Sequence, residues 1–142
     1  MLTKQRLLMK EYKTAGNNVQ FDLKFKDRLT LVRGDSGIGK SMLFNLLERD
    51  AAVSALNIVC LDWNDISNNA VENILSTAKN KVIFIDNADA IIDLGQRIDI
   101  SFDRGNQYVI FTHSTEGYKP SKNSFTELVI NKGIGKLKYL LH

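Results

Sequence analysis

The sequence predicts a three-layer α/β fold with a mostly parallel sheet, N-terminal antiparallel strands and a C-terminal β-hairpin. Strand-like and helix-like segments alternate regularly after residue 28, and the segments 82–85 and 108–111 are continuous apolar runs. Such runs are typical of parallel strands that helices cover on both faces. The chain has 142 residues and no linker rich in Gly, Pro or Ser. We therefore expect one domain, spanning residues 1–142.

The N-terminal part is predicted to form three strands and the first helix. Residues 6–13 and 19–25 have strand character, and Phe21, Leu23 and Phe25 alternate with polar residues as in a half-buried strand. Residues 29–33 form the next strand and lead into a glycine-rich loop. Residues 40–52 place apolar side chains at helical spacing and contain neither Gly nor Pro, which predicts a helix.

The remaining chain continues the alternation and ends in a hairpin. The predicted strands are residues 57–61, 81–85 and 107–112, and the predicted helices are residues 66–78 and 90–100. Two further strands, residues 125–131 and 136–141, are joined by the Gly-containing segment 132–135. This arrangement predicts a closing β-hairpin.

Composition and charge narrow the functional classes. The formal net charge of +3 suits an anionic ligand but is too small for a dedicated nucleic-acid-binding face. The basic residues near the end lack interleaved aromatic residues, so a solvated face is favoured over a nucleic-acid patch. These residues are Lys119, Lys122, Lys132, Lys136 and Lys138.

The cellular setting is predicted from cysteine use and hydropathy. The lone Cys60 excludes an internal disulfide and a cysteine metal cluster, which favours a reducing, cytoplasmic environment. No apolar stretch is long enough to span a membrane, so we expect no membrane insertion.

The loop after residue 33 matches the phosphate-binding pattern Gly-x-x-x-x-Gly-Lys-Ser in full, between a predicted strand and a predicted helix. Its glycines allow backbone N–H groups and the helix N-terminus to approach phosphate oxygens. Lys40 is expected to bridge the β- and γ-phosphates, and the Ser41 hydroxyl is expected to coordinate Mg²⁺. The predicted phosphate-binding residues are Gly34, Asp35, Ser36, Gly37, Ile38, Gly39, Lys40, Ser41 and Met42.

An acid follows the apolar strand 82–85. Asp86 stands where a Walker B strand has its magnesium-side carboxylate, although an acid after such a strand is also a common helix N-cap. In a parallel sheet, ligands gather beyond the carboxyl ends of the strands. Ser41 and Asp86 both follow such ends, so the sequence predicts that they share one Mg²⁺ ion.

These motifs resemble P-loop ATPases of the additional-strand group, because the strand 57–61 intervenes between the P-loop helix and the Walker B strand. Within that group the chain is most similar to a reduced ABC-type ATPase core. The similarity spans roughly residues 6–114 and includes the approach 25–32 to the P-loop and the segment 111–114. The resemblance implies that His113 contacts the γ-phosphate and that Tyr12 stacks on adenine. A surface loop histidine and an edge-strand tyrosine without a ligand are the alternatives.

Departures from that family concern catalysis. Asn87 occupies the position of the glutamate that polarises the attacking water, and an amide cannot accept a proton. Asp89 could substitute as the base or could cap the next helix. The segment 61–81 has no room for a helical subdomain, and no Leu-Ser-Gly-Gly-Gln signature is present. Arg97 and Arg104 could act as cationic groups in cis, with surface arginines as the alternative.

Three functions remain open from the sequence. The first is a Mg²⁺-dependent ATPase whose slow turnover switches its interaction with a macromolecular partner. The second is a non-hydrolysing, ATP-dependent binding module. The third and least favoured is a small-molecule kinase, because the segment 115–124 is too short for a lid and has no arginine. ATP is favoured over GTP because an Asn-Lys-x-Asp motif is absent.

Overall fold

The computed structural model describes residues 7–33, 38–53, 57–62, 70–91, 93–101, 104–119 and 121–140. The strands in chain order are β1 (Glu11–Ala15), β2 (Gln20–Lys24), β3 (Leu29–Arg33), β4 (Ile58–Leu61), β5 (Val82–Ile85), β6 (Gln107–Phe111), β7 (Phe125–Asn131) and β8 (Ile134–Tyr139). The helices are α1 (Ile38–Ala52), α2 (Ala70–Thr77) and α3 (Leu94–Ser101), with a 3₁₀ turn at Ala88–Ala90.

Within these residues the strands form one sheet in the order β1-β2-β8-β7-β3-β6-β5-β4. Strands β7, β3, β6, β5 and β4 are all parallel, whereas β1 and β2 pair antiparallel, as do β7 and β8. The predicted three-layer α/β fold with a mostly parallel sheet is therefore confirmed.

Helices cover the parallel strands on both faces. On one face, Leu43, Phe44 and Leu47 of α1 pack against a cluster that includes Phe84 and Phe111. On the other face, α2 and α3 pack against side chains of β3, β5 and β6. Strands β5 and β6 are buried at every position, which explains their continuous apolar sequences.

Two predicted elements differ from the structure. The first strand begins at Glu11 rather than at residue 6, and residues 1–6 lie outside the described part of the chain. The predicted helix 90–100 is replaced by the 3₁₀ turn and by α3, which begins only at Leu94. Asn87 and Asp93 both adopt positive φ, and two such residues interrupt the helical backbone on either side of residue 90.

The C-terminal hairpin has a shorter connection than expected. Strand β8 begins at Ile134, so only Lys132 and Gly133 connect the strands, both with positive φ. Two residues with positive φ are the requirement of a type I′ turn, whose twist matches that of the flanking strands. The hairpin does not close an edge of the sheet. Instead, β8 also pairs in parallel with β2 and joins the N-terminal strands to the parallel core.

A hydrogen bond from a buried tyrosine ties β1 to α1. The Tyr12 hydroxyl donates to Asp50 Oδ2 at 2.5 Å, and Arg49 pairs with the same carboxylate at 2.9 Å. Burial raises the pKa of Asp50, but hydrogen bonds from Tyr12, Thr14 and Arg49 together hold it below its usual value. A carboxyl whose pKa is lowered by folding adds stability above its unfolded pKa, and that stability is lost as the pH falls through the folded pKa.

We expect Tyr12→Phe to lower the free energy of unfolding by about 1.5–3 kcal/mol at neutral pH, because it removes a hydrogen bond to a charged group. The variant should also lose less stability than the wild type between neutral pH and about pH 3, below the usual carboxyl pKa. Urea denaturation at both pH values measures this. Tyr139→Phe is the matched control, since the Tyr139 hydroxyl donates to the uncharged Lys24 carbonyl. Equal acid sensitivity in wild type and Tyr12→Phe would contradict the assignment.

Candidate functional site

Three neighbouring strands end at one edge of the sheet. Strand β6 pairs in parallel with β3 on one side and with β5 on the other. The glycine-rich loop follows β3, residues 112–114 follow β6, and Asp86 follows β5. The strand before His113 therefore lies beside the strand that leads into the glycine-rich loop.

The centre of this edge is an ion pair between Lys40 and Asp86. Lys40 Nζ lies 3.2 Å from Asp86 Oδ1, and the two side chains are only 12% and 19% exposed. Partial burial weakens solvent screening, so the two charges interact more strongly than an exposed pair does. The structure thus brings together the lysine of the glycine-rich loop and the acid after β5.

Several predicted phosphate-binding residues can be placed and others cannot. Gly34, Asp35, Ser36 and Gly37 lie outside the described residues, as does the Ile38 side chain. Ser41 is exposed in the first turns of α1. Met42 is partly buried against the core, which leaves its backbone rather than its side chain for ligand contact.

Gly39 has a packing role that the sequence pattern did not indicate. A Cβ atom at this position would overlap the Ile130 side chain of β7. The first turn of α1 therefore lies close to the C-terminal hairpin, and a larger residue at position 39 would require the Ile130 side chain to shift.

Asn87 follows Asp86 in a left-handed backbone conformation, with φ of 54°. Asparagine adopts this conformation more readily than most other residues. Its N–H donates to Asp86 Oδ1 at 2.8 Å, and its exposed side chain makes no capping hydrogen bond. The backbone of Asn87 therefore contacts the acid of the Lys40–Asp86 pair, and its side-chain amide is exposed to solvent.

Asp89 anchors the turn that follows β6. Its carboxylate accepts hydrogen bonds from Thr112 Oγ1 at 2.5 Å and from the His113 N–H at 3.0 Å. Burial raises the pKa of Asp89, but these hydrogen bonds and the nearby His113 side chain outweigh that effect and lower it. A carboxylate held in this way is a weak base. It binds the loop after β6 and does not cap the predicted helix.

His113 lies on this anchored turn. Its Nδ1 is 3.8 Å from Asp89 Oδ2, and its side chain is 61% exposed. Strand β6 lies between β3 and β5, so the turn follows the strand that separates β3 from the strand preceding Asp86. A contact between His113 and a γ-phosphate stays a prediction.

Tyr12 does not have the surroundings that the adenine-stacking role requires. Its ring is 3% exposed, packs against Phe84 with a centroid distance of 6.0 Å and belongs to the core beneath α1. A buried ring has no free face on which a base can stack. The role implied by the resemblance is therefore corrected, and Tyr12 is a core residue.

The two candidate arginines have structural partners on the side of α2 and α3. Arg97 of α3 forms an ion pair with Glu72 of α2. Arg104 Nη1 donates to the Leu75 carbonyl. Both guanidinium groups thus hold neighbouring segments together, as the alternative interpretation of surface arginines stated.

The donor set at the sheet edge fits a Mg²⁺ ion. Carboxylate and hydroxyl oxygens are the ligands that this cation prefers. Asp86 supplies a carboxylate that faces the helix carrying Ser41, because Lys40, the preceding residue, already contacts it.

No described helix is long and apolar enough to cross a membrane.

Comparison with known proteins identifies the family. A model of the ATPase family associated with various cellular activities (AAA) matches residues 30–126, which is more than half of the chain. Comparisons with curated proteins and with solved structures give no significant match. The match agrees with the additional-strand group of P-loop proteins, whereas the finer likeness to an ABC-type core is not confirmed. The chain belongs to the AAA family and is an ATP-binding P-loop protein of this class.

Proposed function

We propose that the protein is a Mg²⁺-dependent ATP-binding switch with weak or partner-dependent ATP hydrolysis, which changes its interaction with another macromolecule. The observation that carries this proposal is the 3.2 Å contact between Lys40 and Asp86. It supports a nucleotide site in which a phosphate-binding cation and a metal-binding carboxylate stand at the same point.

The ion pair also suggests how binding proceeds. Lys40 exchanges the Asp86 carboxylate for β- and γ-phosphate oxygens, and Asp86 and Ser41 then hold the cation. Mg²⁺, when bound, supplies positive charge that neutralises the phosphates. The exchange replaces one ion pair by two, so binding of the nucleotide and of the metal is expected to be mutually dependent.

Hydrolysis is expected to be slow because neither Asn87 nor Asp89 offers a free general base. Asn87 can orient a water but cannot accept its proton. Asp89 is occupied by Thr112 and His113. We propose that His113 contacts the γ-phosphate and that Asp89 positions it through the turn after β6. A non-hydrolysing ATP-dependent binding module is the second candidate, and Asn87 is the residue that favours it.

We also propose a cytoplasmic location and a finer likeness to a reduced ABC-type core. A small-molecule kinase is the third candidate function. A groove of about 530 Å³ lies beside Asp89 and Thr112 and is the place where an acceptor could bind. Its lining contains no arginine among the described residues. Release of inorganic phosphate without an added acceptor, measured with ATP and Mg²⁺, would eliminate the kinase.

We expect Lys40→Ala to weaken ATP binding roughly 10- to 100-fold, since a hydrogen bond to a charged group contributes about 1.5–3 kcal/mol. Titration calorimetry with MgATP measures the affinity, and thermal unfolding verifies that the fold is intact. Lys79→Ala removes an exposed lysine elsewhere and serves as the control. Equal affinity in wild type and Lys40→Ala would remove the main support for the proposed site.

Ser41→Ala should chiefly reduce the dependence of ATP binding on Mg²⁺, because it deletes a metal ligand and leaves the backbone N–H of α1 in place. The measurement is the ATP affinity with Mg²⁺ and with excess chelator. Ser76→Ala, an exposed serine of α2, is the matched control. If the ratio of the two affinities is the same in Ser41→Ala and wild type, the ion is held elsewhere.

Asn87→Glu should raise single-turnover hydrolysis, by up to roughly 10²–10⁴-fold if the missing base is what limits the reaction. The backbone at residue 87 is left-handed, so the same change should lower stability by about 1–2 kcal/mol. Asn80→Glu is the matched control for that strain, because Asn80 has the same φ of 54° at the opposite end of β5. It should reproduce the loss of stability without the gain in rate.

Fast hydrolysis by the wild type would point to Asp89 as the base. Asp89→Asn alone is ambiguous, because that carboxylate also anchors the turn. Thr112→Val disrupts the same anchor and leaves the carboxylate in place. Hydrolysis lost in Asp89→Asn but kept in both Thr112→Val and Asn87→Ala would contradict the role proposed for Asn87.

A further inference from the structure

The C-terminal hairpin extends beyond the strand that carries the glycine-rich loop. Strand β7 pairs with β3 from Phe125 to Glu127, opposite Leu31 to Arg33, where β3 ends. Because the two strands are parallel, the last four residues of β7 continue past the carboxyl edge by roughly 13 Å at 3.3 Å per residue. The hairpin therefore rises beside the first turn of α1, where Ile130 contacts Gly39.

The outer part of this hairpin combines exposed aliphatic side chains with lysines. Val129, Ile130 and Ile134 are 38%, 42% and 41% exposed. They account for three of the five large apolar side chains exposed in the described part of the chain. This clustering within six residues distinguishes the hairpin from the scattered apolar exposure that is normal on protein surfaces.

A groove of about 490 Å³ runs over Val129 and Ile134 and is called the hairpin groove below, whereas Ile130 is not part of its lining. Its lining includes Val129, Asn131, Lys132, Ile134, Lys136 and Lys138. The described residues that line it include no acid, and the whole hairpin contains one acid, Glu127, which stands opposite Lys138. Lys136 faces the uncharged Val129 across the strands.

The neighbouring β1–β2 pair shows what a solvated strand surface looks like in this protein. There, Glu11 stands opposite Lys24 and Lys13 opposite Asp22, so charges of opposite sign alternate across the strands. Lys13 also contacts Glu11 at 3.7 Å. Between β7 and β8 the charges are less balanced, since three lysines face one glutamate; on the β2 side of β8, Asp22 lines a pocket together with Lys136.

We propose that the hairpin groove is the docking surface for an acidic segment of a partner protein that also carries aliphatic side chains. Carboxylates of the segment pair with Lys132, Lys136 and Lys138, and its aliphatic groups pack on Val129 and Ile134. A nucleic acid fits less well, because the described residues that line the groove include no aromatic ring for base stacking and the aliphatic side chains would contact nothing apolar. Ile130 lies on the opposite face of β7 from the groove and contacts Gly39, so it connects the same hairpin to the start of the P-loop helix.

The docking surface is independent of the proposed function, whereas its sensitivity to nucleotide rests on it. The probe is a short fluorescein-labelled peptide of glutamates and two leucines, titrated by fluorescence anisotropy into the full chain without nucleotide. A peptide with serines in place of the leucines tests the apolar contribution. A short oligothymidylate tests nucleic acid.

We expect the leucine peptide to bind more tightly than the serine peptide and the oligothymidylate. The triple variant Lys132→Gln, Lys136→Gln, Lys138→Gln should weaken its binding about tenfold, since three exposed ion pairs of modest strength are lost. The triple variant Lys10→Gln, Lys79→Gln, Lys122→Gln removes the same charge from exposed positions elsewhere and should bind like the wild type. Ile134→Ser should weaken the leucine peptide but not the serine peptide.

Three results would overturn the docking surface: no binding of the leucine peptide to the wild type, equal weakening by both triple variants, or preference for the oligothymidylate. Addition of MgATP should then change the peptide affinity in the wild type and change it less in Ile130→Ala. If the wild type binds ATP in calorimetry but MgATP leaves its peptide affinity unchanged, the coupling is overturned. Failure to bind ATP at all would overturn the proposed function and leave the peptide result standing.

Discussion

Strand β6 pairs in parallel with β3 and with β5, and this register determines where every described group of the site lies. Parallel pairing places the carboxyl ends of the three strands at one edge, so that segments far apart in sequence meet there. Lys40, the Asp86–Asn87 segment and the turn at Thr112 and His113 thereby lie at the same edge. Antiparallel pairing of any of these strands would move one group to the opposite edge.

The Lys40–Asp86 ion pair depends on this parallel arrangement, and it is the part of the site expected to bind ligands. Both side chains are largely buried, and a buried charge without a partner is costly. Each group therefore stabilises the other until ligands of opposite charge are offered to both at once. This explains in physical terms why a phosphate and a divalent cation are expected to bind together.

A second set of contacts connects this edge to the rest of the fold. Asp89 fixes the turn after β6 through Thr112 and His113, so hydrogen bonds connect the 3₁₀ turn after β5 to the turn after β6. On the other side, Ile130 lies against Gly39 and connects the C-terminal hairpin to the first turn of α1. The hairpin in turn pairs with β2, which links the N-terminal strands to the parallel core.

The sequence by itself determined the α/β class, the position of the glycine-rich loop, the acid after β5 and the parallel core, because these follow from local patterns of apolar residues and from a motif with fixed spacing. Only the tertiary structure decided which strands are neighbours and what surrounds each side chain. The resemblance to an ABC-type core places Tyr12 where an adenine-stacking residue is expected, yet packing under α1 buries its ring. The helix predicted from residue 90 begins at Leu94, because local periodicity does not reveal the positive φ of Asn87 and Asp93, which interrupts the helical backbone. The lysines of the hairpin form a groove with Val129 and Ile134 only because the strands pair across it. Such contacts join residues that are distant in sequence, so the local patterns of a single sequence do not reveal them.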